Sequence, residues 1–234
     1  MSATGVLSAM GVILVTGATT PGALYAFVPS SGPTSVVTVS NTLGGGAGAI
    51  AFDGNVIWTA NPSSGSVSSV LPGSSFPWPT FTVTGYGTPT GILYDGTSVW
   101  VTDNAGGRLL KLNGHAIDQI VMVGTNPRYP TFDGTNIWVP NNGSNSVSVV
   151  RASSGTVLTT LTDNGLDGPT AAAFDGQRVL VTNAAGESVS VWRASDLAPL
   201  GATATGAGTV PFGACSDGIN FWVTLPGSDL LVRF

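Results

Sequence analysis

The sequence predicts an all-β fold, a six-bladed β-propeller, on the basis of a repeat, its internal pattern and the composition. The pair Asp-Gly recurs at intervals of 42, 38, 42 and 42 residues, at Asp53, Asp95, Asp133, Asp175 and Asp217. A period of about 40 residues indicates a solenoid, a propeller or an array. The chain is 42% apolar and 8% charged, and is rich in residues that favour strands and turns. That composition excludes a disordered chain, which needs low hydrophobicity and high net charge.

Four short β-type runs fill each period. In the fourth repeat they span residues 128–132, 136–140, 146–152 and 156–162. The second and third runs flank "NNGSN", and the third and fourth flank "SSG", both of which are good turn sequences. No segment shows helical periodicity. Four antiparallel strands in about 40 residues are typical of a propeller blade.

The repeated residues have predicted structural roles. An aromatic residue before Asp should end the first strand, and Asp-Gly should form the tight turn to the second. Five residues after each Asp, the second strand should pack a large side chain against the neighbouring blade; these residues are Trp58, Trp100, Trp138, Leu180 and Trp222. One active site does not need five copies, so Asp, Gly and Trp are interpreted as scaffold.

The N-terminal segment fits a sixth, degenerate repeat, with Ala9 at the Asp position and Leu14 at the Trp position. Its apolar residues 5–15 follow no basic residue and are too short for a membrane span, so we predict neither a signal peptide in this chain nor membrane insertion. The predicted blades are residues 4–43, 44–86, 87–125, 126–166, 167–208 and 209–234 of one domain, 1–234.

The last repeat has only three β-type runs, at residues 211–215, 220–224 and 230–234. The sequence therefore predicts a three-stranded last blade. Its final strand would be an exposed edge, able to pair with a partner or a neighbouring subunit, or else covered by a loop. The residues of this predicted edge strand are Leu230, Leu231, Val232, Arg233 and Phe234.

The pattern "FDG-x-x-[IV]-W-V-x-N", followed by "x-V-S-V", resembles the YVTN/NHL-type β-propeller repeat. It is also similar to the repeat of the virginiamycin B lyase group, and the likeness covers essentially the whole chain. The resemblance implies the propeller fold, which hosts many unrelated activities. That group is expected to use His and Glu near its channel. Here the residues after Trp are "VTD", "VPN" and "VTL" where the group often has Glu.

The candidate binding residues lie in loops expected to share one face of the propeller. They are Asn61, Asp103, Asn104, Arg128, Asn141, Asn142, Asn183 and Glu187. Four of them stand eight residues after the repeat Asp: Asn61, Asp103, Asn141 and Asn183. They could form a polar ring that holds a divalent cation or a glycan at the channel mouth. Alternatively, they are the Asn and Asp residues that strands favour on entering a turn.

Few residues suit catalysis. The chain has one His, His115, which is expected to start the outer strand of the third blade, far from the channel, and one Glu, Glu187. Cys215 is predicted to be a small buried hydrophobe of a first strand. No Gly-x-Ser-x-Gly elbow occurs, and one His with one Cys cannot bind a transition metal. Trp78, outside the repeat register, should either cover the end of a blade or anchor a partner.

The function predicted from the sequence is a non-catalytic binding or structural module. With net charge −5 and only seven basic residues, nucleic acid is excluded as a partner. A protein or a glycan is the expected partner, in a surface or virion-type assembly such as a phage particle, and the location is extracellular or virion-associated. No cofactor is expected beyond the possible cation. The alternative is a metal-dependent hydrolase or lyase, lactonase-like or streptogramin-lyase-like, with Glu187, Asp103, Asn141 and Asn183 around a metal.

Overall fold

The computed structural model describes residues 2–31 and 35–234, and within them the chain is almost entirely β-structure. The described residues form 23 strands in six antiparallel sheets, with four single-turn 3-10 helices. Five sheets have four strands and the sixth has three. The protein is a six-bladed β-propeller, and the predicted three-stranded last blade is confirmed.

The strands follow one another in chain order within each sheet. The first three sheets contain β1 (Ala3–Ala9), β2 (Val12–Gly17), β3 (Gly22–Phe27) and β4 (Val36–Leu43); β5 (Ile50–Phe52), β6 (Ile57–Asn61), β7 (Ser66–Val70) and β8 (Thr80–Thr84); and β9 (Pro89–Tyr94), β10 (Val99–Asp103), β11 (Arg108–Asn113) and β12 (Ala116–Met122). The last three contain β13 (Thr131–Phe132), β14 (Asn136–Asn141), β15 (Ser146–Arg151) and β16 (Thr156–Leu161); β17 (Pro169–Phe174), β18 (Arg178–Asn183), β19 (Ser188–Arg193) and β20 (Pro199–Ala204); and β21 (Ala214–Ser216), β22 (Phe221–Leu225) and β23 (Leu230–Arg233). Residues 32–34 of the predicted first blade lie outside the described residues.

The chain divides into two compact units, Met1–Gly106 with Leu110–Asp118, and Gly107–Leu109 with Gln119–Phe234. In the first unit, Leu14 and Ile57 pack with Trp78, and a second cluster surrounds Trp58. In the second unit, one cluster surrounds Trp138 and another surrounds Phe221. Most of these core residues lie in strands, and pairs such as Trp58 with Ala60 and Val179 with Val181 show the two-residue period of β-strands. The single domain of residues 1–234 expected from the sequence stays a prediction.

The repeat Asp is the acceptor for its turn and for its Trp. Asp133 Oδ1 accepts the backbone N–H groups of Thr135 and Asn136, and Oδ2 accepts Trp138 Nε1 at 2.7 Å. The same indole bond recurs in three further blades: Asp53–Trp58, Asp95–Trp100 and Asp217–Trp222. These contacts fix the turn and orient the Trp ring, so the scaffold role predicted for the repeat residues is confirmed.

The fifth blade keeps this arrangement without a Trp. Leu180 occupies the Trp position, and Arg178 Nε donates to Asp175 Oδ2 at 2.7 Å instead. An arginine therefore takes the place of the indole as the donor to the turn carboxylate.

The prediction for Cys215 was wrong, because the side chain is exposed. It lies in β21 between Ala214, which packs against the core of the last blade, and Ser216. Strand alternation sends Cys215 to the opposite face of the sheet. By contrast, Trp78 is buried with Leu14 and Leu24, so it covers a blade end. No helix in the described part of the chain is long and apolar enough to cross a membrane.

Candidate functional site

The repeated asparagines hold strands together inside their own blades. Asn141 Nδ2 donates to Ser146 Oγ at 3.1 Å and to Ser148 Oγ at 3.0 Å, and Asn141 is fully buried. Asn61 binds Ser66 and Ser68, and Asn183 binds Ser188 and Ser190, in the same way. The pattern Asn-x4-Ser-x-Ser therefore ties the second strand of a blade to the third. The spacing recurs in the sequence of three repeats, at Asn61, Asn141 and Asn183.

The carbonyl oxygens of these asparagines differ between blades. Asn61 Oδ1 accepts the hydroxyl of Thr59 at 3.0 Å. The residue two positions earlier is valine in the blades of Asn141 and Asn183, and the Oδ1 atoms of these two have no donor within the described residues. A buried acceptor without a donor lowers the stability of the folded protein unless a water molecule or a cation binds to it. Asn141 and Asn183 thus keep an unused oxygen that Asn61 does not have.

Asp103 takes the place of asparagine in the third blade and is also fully buried. Its Oδ1 accepts the backbone N–H groups of Thr88 at 2.9 Å and Gly106 at 3.2 Å. The backbone N–H of the neighbouring Asn104 donates to the carbonyl of Thr88. Both residues therefore anchor the segment that leads into β9.

Glu187 stands at a turn position that recurs through the repeat. It has a left-handed backbone, φ 48°, as do Gly65, Gly107 and Asn145 at the same repeat position. Its carboxylate Oε1 accepts the backbone N–H of Gly208 at 2.6 Å. Glu187 therefore joins two loops of the fifth blade.

A cavity of about 500 Å³ lies among loops of the second unit. We call it the loop cavity; it is lined by Arg128, Asn142, Asn145, Asp167, Gly168, Thr170, Ala184, Ala185, Val210 and Phe212. The structure thus brings together two predicted binding residues, Arg128 and Asn142. Glu187, Asn141 and Asn183 are not among the residues that line it.

The polar rim of the loop cavity is a connected network. Asn145 Nδ2 donates to Asp167 Oδ1 at 3.3 Å, and Asn145 Oδ1 accepts the backbone N–H of Gly168 at 2.9 Å. Asn142 Nδ2 donates to the carbonyl of Pro169 at 3.3 Å. Within the described residues this leaves Asn142 Oδ1 and Asp167 Oδ2 as acceptors for a ligand.

An aromatic pair forms the apolar part of this region. The Tyr129 and Phe212 rings meet edge to face with centroids 5.5 Å apart, and Phe212 is 39% exposed. Burial raises the pKa of Tyr129 above its usual value, against a smaller opposing effect of Arg128. The sequence did not mark Phe212 as a binding residue, because it lies in the first β-type run of the last repeat, residues 211–215, and belongs to no recognisable motif.

His115 is held away from any cluster of ionisable groups. Its Nε2 lies 2.7 Å from Ser69 Oγ, its ring packs against Trp58 and Phe81, and burial lowers its pKa. Within the described residues, no group of three or more His, Cys, Asp or Glu side chains could hold a metal.

The predicted edge strand, β23, is unusually exposed for its position in a blade. Leu231 is 61% exposed, whereas the residues at the same repeat position, Val67, Leu109, Val147 and Val189, are buried. Leu230 is 55% exposed. In the described part of the chain, β23 pairs with β22 on one side and with no strand on the other.

Several turn aspartates have a pKa below that of an ordinary aspartate: Asp95, Asp175, Asp196 and Asp217. For Asp217, the backbone N–H of Asn220 has the largest effect, followed by the indole of Trp222. For Asp95, burial alone raises the pKa, but the bonds from Trp100, Ser98 and Thr97 outweigh it.

We expect acid to destabilise the protein through these carboxylates. A depressed folded-state pKa contributes stability that is present above the unfolded-state pKa, about 3.9 for Asp, and is lost as pH falls through the folded-state value. These carboxylates should therefore lower the free energy of unfolding below about pH 4, while the lowered pKa of His115 adds a separate decrease that begins below about pH 6.5. Urea unfolding at a series of pH values measures this. Asp217→Asn should make the fall shallower, and an unchanged slope would contradict the assignment to Asp217.

Comparison with known proteins supports the fold. No protein-family model matches the chain, and no curated protein matches it. Among solved structures, virginiamycin B lyase from Staphylococcus aureus superposes with a TM-score of 0.80 at 13% identity, over 99% of this chain and 83% of the lyase. A putative 6-phosphogluconolactonase from Bacteroides fragilis gives 0.80 at 17% identity, over 99% and 79%. The computationally designed protein Ika8 gives 0.77 at 12% identity, over 100% and 70%. At such identities the likeness shows the fold alone.

Proposed function

We propose that the protein is a non-catalytic binding module that holds a saccharide in the loop cavity. The observation that carries this proposal is the cavity itself, with Arg128, Asn142 and Asp167 beside the exposed ring of Phe212. Its volume of about 500 Å³ lies within the roughly 300–1,000 Å³ of small-molecule sites. The ligand is part of an extracellular or virion-type assembly, in keeping with a chain that has few charged residues.

A saccharide matches this lining because each hydroxyl group both donates and accepts hydrogen bonds. Asp167 and Asn142 offer acceptor oxygens, and the Arg128 guanidinium is a donor group in the same cavity. Phe212 offers an apolar ring face for the carbon-bound side of a sugar. Small-molecule sites combine such apolar surface with a few placed polar groups.

Saccharide titration tests the proposal. We expect a neutral sugar from a panel of glucose, galactose, mannose, N-acetylglucosamine, maltose and lactose to bind, as measured by calorimetry. Phe212→Ala and Asp167→Ala should each weaken binding about tenfold, since each removes a contact of about 1–2 kcal/mol. Asn41→Ala, at an exposed asparagine of β4, is the matched control and should bind like the parent protein. Absence of binding to the whole panel would contradict the proposal.

The alternative function is a metal-dependent hydrolase or lyase, which the lyase and lactonase neighbours resemble. The unused Oδ1 atoms of Asn141 and Asn183 favour it, because amide oxygens are ligands for hard cations. Against it, Glu187 Oε1 already accepts the Gly208 N–H. Elemental analysis distinguishes the binding module from the metal-dependent enzyme. A stoichiometric divalent metal in the purified protein, together with loss of sugar binding when EDTA removes it, would favour the enzyme.

A second interaction is proposed for β23, which accepts a strand from a second copy of the chain. The observation that favours it is the exposure of Leu230 and of Leu231, whose position is buried in the other blades where it is described. Strand addition supplies main-chain hydrogen bonds to such an edge and covers its apolar side chains. This contact is compatible with ligand binding in the loop cavity, because the two sites share no residue.

A further inference from the structure

A second cavity of the second unit, of about 610 Å³, concentrates positive charge. We call it the turn cavity, because turns of the fourth and fifth blades form it. Arg151, Arg178 and Arg193 all line it, and Asp133 is the one acidic lining residue. These are three of the seven basic residues in a chain of net charge −5. The lining therefore carries a surplus of two positive charges, opposite in sign to the whole protein.

The repeat provides an internal comparison. A cavity of about 470 Å³ in the first unit lies between the second and third blades. It corresponds to the turn cavity two repeats earlier in the chain, a shift of 80 residues from Asp133 to Asp53. Ser98 and Asn113 occupy there the positions of Arg178 and Arg193. That lining holds Lys111 against two aspartates, Asp53 and Asp118. The scaffold thus creates the cavity in both places, and only the substitutions in the second unit make it cationic.

Nearby carboxylates orient two of the guanidinium groups without lying in the cavity. Arg178 Nε contacts Asp175 at 2.7 Å, and Arg193 contacts Asp196 at 2.9 Å, but neither aspartate lines the cavity. No ion pair is present for Arg151 among the described residues. Of the three arginines, Arg151 is therefore the one most available to bind an anion from solution.

Asp133 is the acidic lining residue, and its oxygens already have several partners. Oδ2 accepts the indole N–H of Trp138, and Oδ1 accepts two backbone N–H groups of its turn. These donors occupy both of its oxygens. Because Arg178 and Arg193 are each paired with an aspartate outside the lining, Arg151 is the main source of positive charge for an anion in the turn cavity.

Neutral groups complete the lining. Asn136 is 8% exposed, and its Oδ1 has no donor within the described residues. Gln177 and Ser195 add polar side chains, while the exposed Leu200 provides apolar surface. This combination suits a carbon skeleton that carries hydroxyl groups as well as an anionic group.

We propose that the turn cavity binds a hydroxylated organic anion, such as a sugar acid, distinct from the neutral saccharide of the loop cavity. Its carboxylate or phosphate group contacts Arg151 and Arg193, because the planar guanidinium fork matches both oxyanions. Its hydroxyl groups face Asn136, and its carbon skeleton packs on Leu200.

Titration with D-glucuronate, D-glucose and inorganic phosphate tests this site. We expect glucuronate to bind at least about tenfold more tightly than glucose, and to bind less tightly at high salt. Arg151→Met and Arg193→Met should each weaken glucuronate binding about tenfold or more, the loss expected for a hydrogen bond to a charged group. Competition by phosphate would show that the oxyanion alone is recognised, whereas its absence would assign the site to carboxylates.

Control variants distinguish loss of the turn-cavity site from a general loss of positive charge and from unfolding of the protein. Lys111→Met removes one positive charge at the corresponding cavity of the first unit and should leave glucuronate binding unchanged. Phe212→Ala should also leave it unchanged, so failure of the loop-cavity proposal is distinguishable. Thermal unfolding verifies that each variant is folded. Equal binding of glucose and glucuronate, no effect of Arg151→Met, or no binding of any probe at about 10 mM would overturn the proposal.

Discussion

Replacing Trp138 with alanine should lower the free energy of unfolding by about 3–5 kcal/mol, the cost of deleting a buried aromatic side chain. Trp138 is fully buried and packs against Trp192 with ring centroids 6.4 Å apart. Its indole N–H is also a donor to Asp133. Urea unfolding followed by circular dichroism measures the loss.

Two further variants identify the cause of this loss. Trp138→Phe keeps much of the ring volume and removes the N–H donor, so it should cost about 1–2 kcal/mol. Trp222→Ala removes the equivalent residue of the last blade, which is only half-buried. That variant should lose about 1–2 kcal/mol, in proportion to the smaller area it covers. Equal losses for Trp138→Ala and Trp222→Ala would contradict the role assigned to burial.

The fold could be predicted because its determinants are local and repeated. Asp133 and Trp138 are five residues apart, so the contact between them can be predicted from any repeat that contains both residue types. Strand alternation assigns successive side chains to opposite faces of a sheet. It failed at Cys215, where the pattern gives the alternation but not which of the two faces meets the core.

The candidate site was only partly predictable, since its residues converge from distant loops. Arg128 and Phe212 are 84 residues apart in the chain (212 minus 128), yet both line the loop cavity. They occupy the same position of the fourth and sixth repeats, five residues before Asp133 and Asp217, but the repeat does not show that two such positions line one cavity. The turn cavity was missed for another reason: the repeat pattern marked Asp133 as scaffold, and the arginines around it carry no motif.

The largest effect on assembly is expected at β23, the proposed site of self-pairing, where Leu231→Lys should weaken that pairing at least about tenfold. The hydrogen-bonded pair of Phe221 and Phe234 fixes the register of this edge. Because bonded pairs alternate along an antiparallel ladder, the backbone groups of Leu231 and Arg233 face away from β22. A second copy approaching from that side meets an N–H and a C=O at every second residue.

The sequence of side chains along β23 favours β23 of a second copy as its partner strand. In an antiparallel pair centred on Leu231, the two Leu231 side chains face each other across the two-fold axis. Arg233 ends β23, and Asp229 lies in the turn before the strand, with a left-handed backbone of φ 55°. The two-fold axis therefore places each Arg233 beside the turn that carries Asp229 in the second copy. Opposite charges near the two ends of the pair and apolar contact between the two Leu231 side chains at the axis both favour pairing with a second copy.

Sedimentation at a series of protein concentrations tests the pairing and its register. Leu231→Lys places two like charges at the axis and should weaken the dimer at least about tenfold, whereas Arg233→Glu should weaken it by a smaller factor, as expected for an exposed ion pair. Asp229→Lys combined with Arg233→Glu restores opposite charges only if the strand pairs with its own copy. Recovery of the dimer in that double variant therefore separates self-pairing from pairing with any other strand. A protein that is monomeric at every concentration, or a dimer unaffected by Leu231→Lys, would show that β23 is not the contact.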